Sequence, residues 1–431
     1  MRLRGWTMAD IIQSFGHYIC NKAPGHPVFT RRLLLAGYRA FGLTLRLAPD
    51  KRLPRSRQFS ARYVNHTLTR MLSHPERAAL VSIFMPCELL EAMDIVPMCA
   101  EMYSAFLCGT FAESVFAEAA EAEGIAETYC SYHKVLLGSA YSNVLPAPAM
   151  VVNTSLLCDA NNLTFRELAG HYHVPQYYVD VPKEQSEDSV HYVADQFREL
   201  ASFLEECTGK TLDPGRLRKV MLRSRDTVED LRACMDLKKD RYLPGDVTSE
   251  LYEIYLAHNA LGTEGAMKYA SMLLHDLKNA APARGIRLLW LHTIPHWQEP
   301  VKALLDLNDQ CQIAACDMCF EGLVDIDPEK PYESMARRLV YSRWNGGQER
   351  VNAAVEAAKA LHADGVICFC HWGCKQTMGL SGILKTTLEK QGFPTLILNG
   401  DGCDRRNASD GQTSTRLDAF LEMLKKGERH V

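Results

Sequence analysis

No stretch of this chain approaches the roughly 20 consecutive apolar residues that a helix needs to cross a bilayer. The opening Met1-Arg2-Leu3-Arg4-Gly5-Trp6 leads into no uninterrupted apolar run of the signal-peptide kind. A cytoplasmic protein without a membrane partner is therefore expected. An excess of one charge is also missing: 48 Lys and Arg stand against 52 Asp and Glu, for a net charge of -4. That balance offers no general attraction to a polyanion, so nucleic acid is not an expected partner. There is no G-x-x-x-x-G-K-[ST] phosphate loop, no low-complexity tract and no internal repeat of 20 to 50 residues.

What is present is ordinary in bulk and unusual in its cysteines. The 431 residues, 47% hydrophobic and 23% charged, suffice for two or three cores at roughly 150 residues each. Up to Arg57 there are eleven Lys and Arg against only Asp10 and Asp50. This basic stretch is either a solvated face or a contact for an acidic partner or a nucleotide-like ligand. The fifteen cysteines are scattered, odd in number and without the spacing of a secreted disulfide framework, which points to a reducing compartment and thiol or metal chemistry.

Residues 1–75 read as a helical N-terminal extension, with an amphipathic run from Arg31 to Leu47 and a turn at Leu53-Pro54-Arg55-Ser56. Residues 76–187 read as a first α/β domain. Its strands are expected at Leu80 to Phe84, Ile95 to Met98, Ala149 to Asn153 and Gln176 to Asp180, and its helices at Pro86 to Met93 and Leu163 to His171. A helical connecting segment covers 188–284, broken at Tyr242-Leu243-Pro244-Gly245. The second α/β domain, 285–431, has strands at Gly285 to Leu291, Cys311 to Cys316, Gly365 to Phe369 and Pro394 to Leu398, with helices at 300–308, 347–362 and 379–391. The fold expected is α/β, with two parallel-sheet Rossmann-like domains and helical N-terminal and connecting segments. In such sheets ligands bind beyond the carboxyl ends of the strands. The two sheets read as distant structural copies.

Cys130, Cys158 and Cys374 each lie just after a strand or at the start of a helix, where side chains of two facing domains can meet in one crevice. A cubane iron-sulfur cluster takes four ligands, so three thiolates would leave one iron open to a substrate. A helix N-terminus would favour each thiolate. By residue type alone any one of them is as well explained as a small buried hydrophobe. Cys368 and Cys370 share one face of a strand and belong either to the core or to a larger metal site. Cys20, Cys87, Cys99, Cys207, Cys234, Cys311, Cys316 and Cys319 are assigned to packing or surface.

Four segments carry a resemblance. They are Cys374-Lys375-Gln376-Thr377-Met378-Gly379, Gly392-Phe393-Pro394-Thr395-Leu396, Asp401-Gly402-Cys403-Asp404, and the run from Gly411 to Glu422. Together with Phe84-Met85-Pro86-Cys87-Glu88-Leu89-Leu90 near the front, they resemble the 2-hydroxyacyl-CoA dehydratase family, which includes benzoyl-CoA reductase subunits. The resemblance runs from about Ala79 to the C-terminus.

It implies that Cys130, Cys158 and Cys374 bind one [4Fe-4S] cluster whose fourth iron exchanges water or hydroxide for the thioester carbonyl of an acyl-CoA. It also implies that Glu101 is an active-site carboxylate. Ser82 lies one residue from the place of a family serine. His371 is a proton donor or a residue that orients the cluster loop. Glu88 reads as a first-turn helix carboxylate that favours the dipole. The implied reaction is elimination of water from a 2-hydroxyacyl-CoA. One electron added to the carbonyl gives a ketyl that expels the α-hydroxyl, a β proton is lost to a base, and the electron returns. The implied partners are an ATP-dependent iron-sulfur activator and either a paralogous dehydratase subunit or a second copy in a homodimer. Three alternatives stay open: a double-cubane [8Fe-9S] protein drawing on Cys108, Cys368, Cys370 and Cys403, a benzoyl-CoA reductase-like subunit, and a cluster-free accessory chain.

Overall fold

The computed structural model describes residues 7–427, so Arg2 and Arg4 of the basic segment lie outside the described residues. Three helices come first: α1 (Met8–Lys22), α2 (Pro27–Leu47) and α3 (Arg55–Ser73). The first sheet follows, from β1 (Ala78–Val81), β2 (Val96–Cys99), β3 (Met150–Thr154) and β4 (Gln176–Val179). Helix α4 (Glu88–Ala92) joins β1 to β2. Helices α5 (Ala100–Gly109), α6 (Glu113–Ala122) and α7 (Ser131–Tyr141) join β2 to β3, and α8 (Asp159–Tyr172) joins β3 to β4.

Four helices, α9 (Glu187–Thr208), α10 (Pro214–Lys238), α11 (Val247–Ala257) and α12 (Glu264–Lys278), lead to the second sheet. A two-residue ladder of β5 (Arg241–Tyr242) and β6 (Ala281–Pro282) lies among them. The second sheet contains β7 (Ile286–Leu291), β8 (Cys311–Cys316), β9 (Gly365–His371) and β10 (Thr395–Gly400). Its helices are α13 (Glu299–Leu305), α14 (Pro331–Val340), α15 (Gly347–Ala360), α16 (Lys375–Lys390) and α17 (Asp410–Lys426).

Both sheets are wholly parallel, in the orders β2-β1-β3-β4 and β10-β9-β7-β8. Counted within each sheet these are the same order, so one winding occurs twice. Strands β3, β7 and β9 are buried at every residue, as parallel strands covered on both faces must be, and their continuous apolar runs made them readable from sequence. The period of two separates their faces. Trp290 and Phe369, ring centroids 6.0 Å apart, face the main core with Leu288 and Ile367. Leu289, Val366, Cys368 and Cys370 pack the other way, with Ala354 of α15 and Leu384 of α16.

Several boundaries differ from expectation: α8 begins at Asp159, four residues before Leu163, and α13 ends at Leu305 rather than at 308. β1 ends at Val81, because Ser82 to Phe84 leave the sheet and turn so that the Ile83 N–H can donate to Glu101 at 3.0 Å. Helix α16 begins at Lys375, four residues earlier than its apolar periodicity indicates. The N-terminal helices are docked: Arg57 of α3 is buried, bonded to Glu250 at 2.6 Å and Glu253 at 2.8 Å on α11. No helix among the described residues is long and apolar enough to cross a membrane.

Candidate functional site

In each sheet the strand order reverses between the first and third strands, and the crevice at their carboxyl ends is where such sheets bind ligands. The two crevices face each other. Ile83 follows β1 and Cys158 follows β3 on one side, while His292 follows β7 and Cys374 follows β9 on the other. All four line one cavity of about 890 Å³, together with Glu101, Cys130, His133 and His371.

The three cysteines share one local setting. Each is an N-cap: Cys130 of α7, Cys158 of α8 and Cys374 of α16. Three helix N-termini therefore aim positive dipole ends and free N–H groups at the same region, which favours negative sulfur. The His133 N–H addresses the Cys130 sulfur, and the Asn161 and Ala160 N–H groups that of Cys158. Burial nevertheless pushes the Cys130 thiol up and that of Cys158 to about 12, and the charge of each neighbouring thiol adds to the rise. Burial and mutual repulsion thus set Cys130 and Cys158 against ionising side by side without a cation between them. Gly373, at φ +80°, lets the two loops touch: a Cβ there would lie 2.6 Å from the Cys130 nitrogen. These soft donors, converging with open space between them, fit a cluster with three thiolate ligands.

Three histidines stand behind the sulfurs. Nε2 of His371 is 3.4 Å from Sγ of Cys130, Nε2 of His292 is 3.5 Å from Sγ of Cys374, and Nε2 of His133 is 3.9 Å from Sγ of Cys158. Burial lowers all three imidazoles, His133 and His292 to about 3, so they are neutral at pH 7. His371 accepts the Gly402 N–H on Nδ1 at 3.0 Å, with buried Asp401 close by at 3.5 Å. Asp401 also accepts the hydroxyl of Ser131, the residue after Cys130, and so ties the lobes beside that ligand.

Glu101, at the start of α5, lines the cavity with its Oε1 4.0 Å from Nε2 of His133, and burial raises its carboxyl to about 7. Ser82 is different. It is fully buried, its hydroxyl has no partner among the described residues, and it does not line the cavity. The buried Glu88 pairs with Arg338 and accepts from Ser224, so it is a core ion pair rather than a solvated helix start.

Cys108, Cys368, Cys370 and Cys403 do not line the cavity. Cys368 and Cys370 lie on the α15 and α16 side of their sheet, and Cys403 donates to the Ser104 carbonyl at 3.6 Å. Cys316 and Cys319 form a C-x-x-C pair that sequence reading had assigned to packing, and both are buried away from the cavity. Glu250, Glu253 and Cys319 offer ligand atoms close enough for one ion. Arg57 and Lys238 already neutralise that group, with Lys238 2.6 Å from Glu253 and the Tyr269 hydroxyl at 2.9 Å. It is a buried ion-pair network.

The model of the family described as 2-hydroxyglutaryl-CoA dehydratase, D-component, matches residues 82–424. The chain belongs to this family. It is therefore a component of a dehydratase-type enzyme. Helices α1 to α3, all of which contribute to the cavity lining, lie outside the matched range.

Relatives of known name agree at low identity. The chain is 22% identical to the (R)-phenyllactyl-CoA dehydratase alpha subunit of Clostridium sporogenes over 79% of its length and 87% of the relative's. It is 23% identical to the lactoyl-CoA dehydratase subunit alpha of Anaerotignum propionicum, over 79% and 88%. It is 21% identical to the (R)-2-hydroxyglutaryl-CoA dehydratase subunit alpha of Acidaminococcus fermentans, over 66% and 62%. His133 and His292 were missed by sequence reasoning. Their only signals are the i+3 spacing of His133 from Cys130 and the place of His292 directly after a strand.

Proposed function

We propose that this chain is the cluster-binding, substrate-binding subunit of a 2-hydroxyacyl-CoA dehydratase. One observation carries the proposal: three cysteines, each capping a helix and drawn from both lobes, converge on one cavity. Cys130, Cys158 and Cys374 hold a [4Fe-4S] cluster. Bound there, it supplies a vacant coordination position for the thioester carbonyl and the single electron that turns the α-hydroxyl into a leaving group.

The chain's own residues do the rest. Glu101 takes the β proton on its carboxylate: the Ile83 N–H fixes one oxygen at 3.0 Å, and an acid poised near 7 can both accept and release a proton at neutral pH. Apolar walls exclude water. Helix α5 turns Met102, Ala105 and Phe106 into the cavity beyond Glu101, and Ile12 and Phe15 of α1 close it from outside. Of the lining cations, Arg405 is already paired with Glu113 and Lys302 with Glu299, and Lys375 is exposed, so the inner chamber favours an acyl group without a charged end.

The electron comes from an ATP-dependent iron-sulfur activator. The enzyme acts in an anaerobic cytoplasm with a paralogous subunit or a second copy. Anaerobic purification followed by iron and sulfide assay tests the assignment. About four irons per chain are expected, and Cys374→Ala should lose most of them. About eight would mean a double cubane, a colourless protein would mean an accessory chain, and full iron in Cys374→Ala would refute the ligand set.

A further inference from the structure

Each thiol at the site has an imidazole of its own, and none is shared. His133 and Cys158 both belong to the first lobe, His292 and Cys374 both belong to the second, and His371 reaches across to Cys130. All three rings present Nε2, and each is held. Nδ1 of His371 accepts the Gly402 N–H, so it carries a lone pair and the hydrogen of the neutral ring sits on Nε2, facing sulfur.

His292 stacks on Trp344, centroids 5.9 Å apart and planes at 22°, and the guanidinium of Arg350 covers Trp344 at 3.7 Å. Its backbone N–H donates to Asp317 at 2.6 Å. His133 is wedged edge-on between Tyr129 and Phe165. Rings that were merely filling space would have no reason to share this orientation.

An N–H donated to a cluster sulfur stabilises the reduced, more negative state and raises the reduction potential, and the effect is stronger where water is excluded. We propose that His133, His292 and His371 are positioning residues that donate Nε2–H to the sulfurs of Cys158, Cys374 and Cys130 and so set the potential at which the cluster accepts its electron. The inference rests on the cluster assignment of the preceding section. It adds residues that touch neither substrate nor iron.

His292 is the first choice for the test, because unlike His133 beside Glu101 and His371 beside Asp401 its ring has no carboxylate within 4.0 Å among the described residues. His292→Leu removes the donor. His292→Gln restores an N–H at nearly the same reach, and both substitutes meet the same left-handed backbone, φ 82°. The complete protein, purified without oxygen, is titrated electrochemically while the reduced cluster is followed by electron paramagnetic resonance.

His292→Leu should keep its iron and shift its reduction equilibrium toward the oxidised form at least tenfold, 59 mV for one electron. His292→Gln should recover most of that shift. An unmoved potential in His292→Leu, or a His292→Gln shifted as far as Leu, overturns the inference. Should Leu lose the cluster, Gln alone decides: a potential near that of the parent supports the inference and a tenfold shift overturns it. A parent protein without iron overturns the cluster assignment instead, so the two failures are distinguishable.

Discussion

Gly373→Ala perturbs the site without removing any ligand. The added Cβ would sit 2.6 Å from the Cys130 nitrogen and the Tyr129 carbonyl carbon, and 2.7 Å from the Cys130 Cα. All three are backbone atoms, so no side-chain rotation relieves the clash. Ordinary contact begins near 3.4 Å, so the loops must part by the difference, about 0.8 Å. Alanine at φ +80° adds about 1–2 kcal/mol of backbone strain.

Metal sites tolerate ligand displacements of roughly 0.2 Å. The opening is about four times that, and it lies between the loops that carry Cys130 and Cys374. Gly373→Ala should therefore fold, with a loss of about 1–3 kcal/mol typical of overpacking, and retain well under half the iron of the parent. Gly379→Ala on α16, where a Cβ meets open space, is the control. It should keep full iron and gain up to about 1 kcal/mol from helix propensity. Iron and sulfide assay with circular dichroism reads both. Full iron and an unchanged spectrum in Gly373→Ala would refute the claim that the two lobes clasp one cluster.

Other expectations follow from neighbouring groups. A base must be ionised to work, and the Glu101 carboxyl is raised by burial to about 7. The dehydration rate should thus climb as pH approaches 7 and level off above it. Glu101→Gln should lower the rate about 10²–10⁴-fold and abolish that limb, whereas a surviving limb places the base elsewhere. Arg57→Met would leave Glu250 without its buried partner and should cost about 3–5 kcal/mol in urea unfolding. Adding Glu250→Gln should return most of it, and a single-variant loss below about 1 kcal/mol would show the network to be idle. In competition between 2-hydroxyacyl-CoA thioesters, one with an aryl or branched acyl group should exceed one ending in a carboxylate at least tenfold in kcat/KM, about 1.4 kcal/mol. Equal rates would mean that the apolar chamber does not sort substrates.

The sheets were legible because strands buried on both faces leave no polar alternation. Ile286 to Leu291 and Gly365 to Phe369 read directly as such runs. Where a strand or helix stops was less legible, since the stop is decided by what the next residues must reach. Ile83 leaves β1 for Glu101, and the hinge at Gly373 lets Cys374 cap α16. Ser82 is the instructive miss. It lies beside the site in sequence, yet it is fully buried and does not line the cavity.

Local order thus determined much on its own: apolar runs, helix periodicity and the placement of Cys130, Cys158 and Cys374 at helix starts are properties of short stretches of chain. Tertiary structure alone decided which groups meet. The contact of His371 with Cys130 spans 241 positions and that of Ser131 with Asp401 spans 270. Period and propensity describe a few turns of backbone, while distances across a cleft depend on how two sheets and the helices between them pack, which no local pattern encodes.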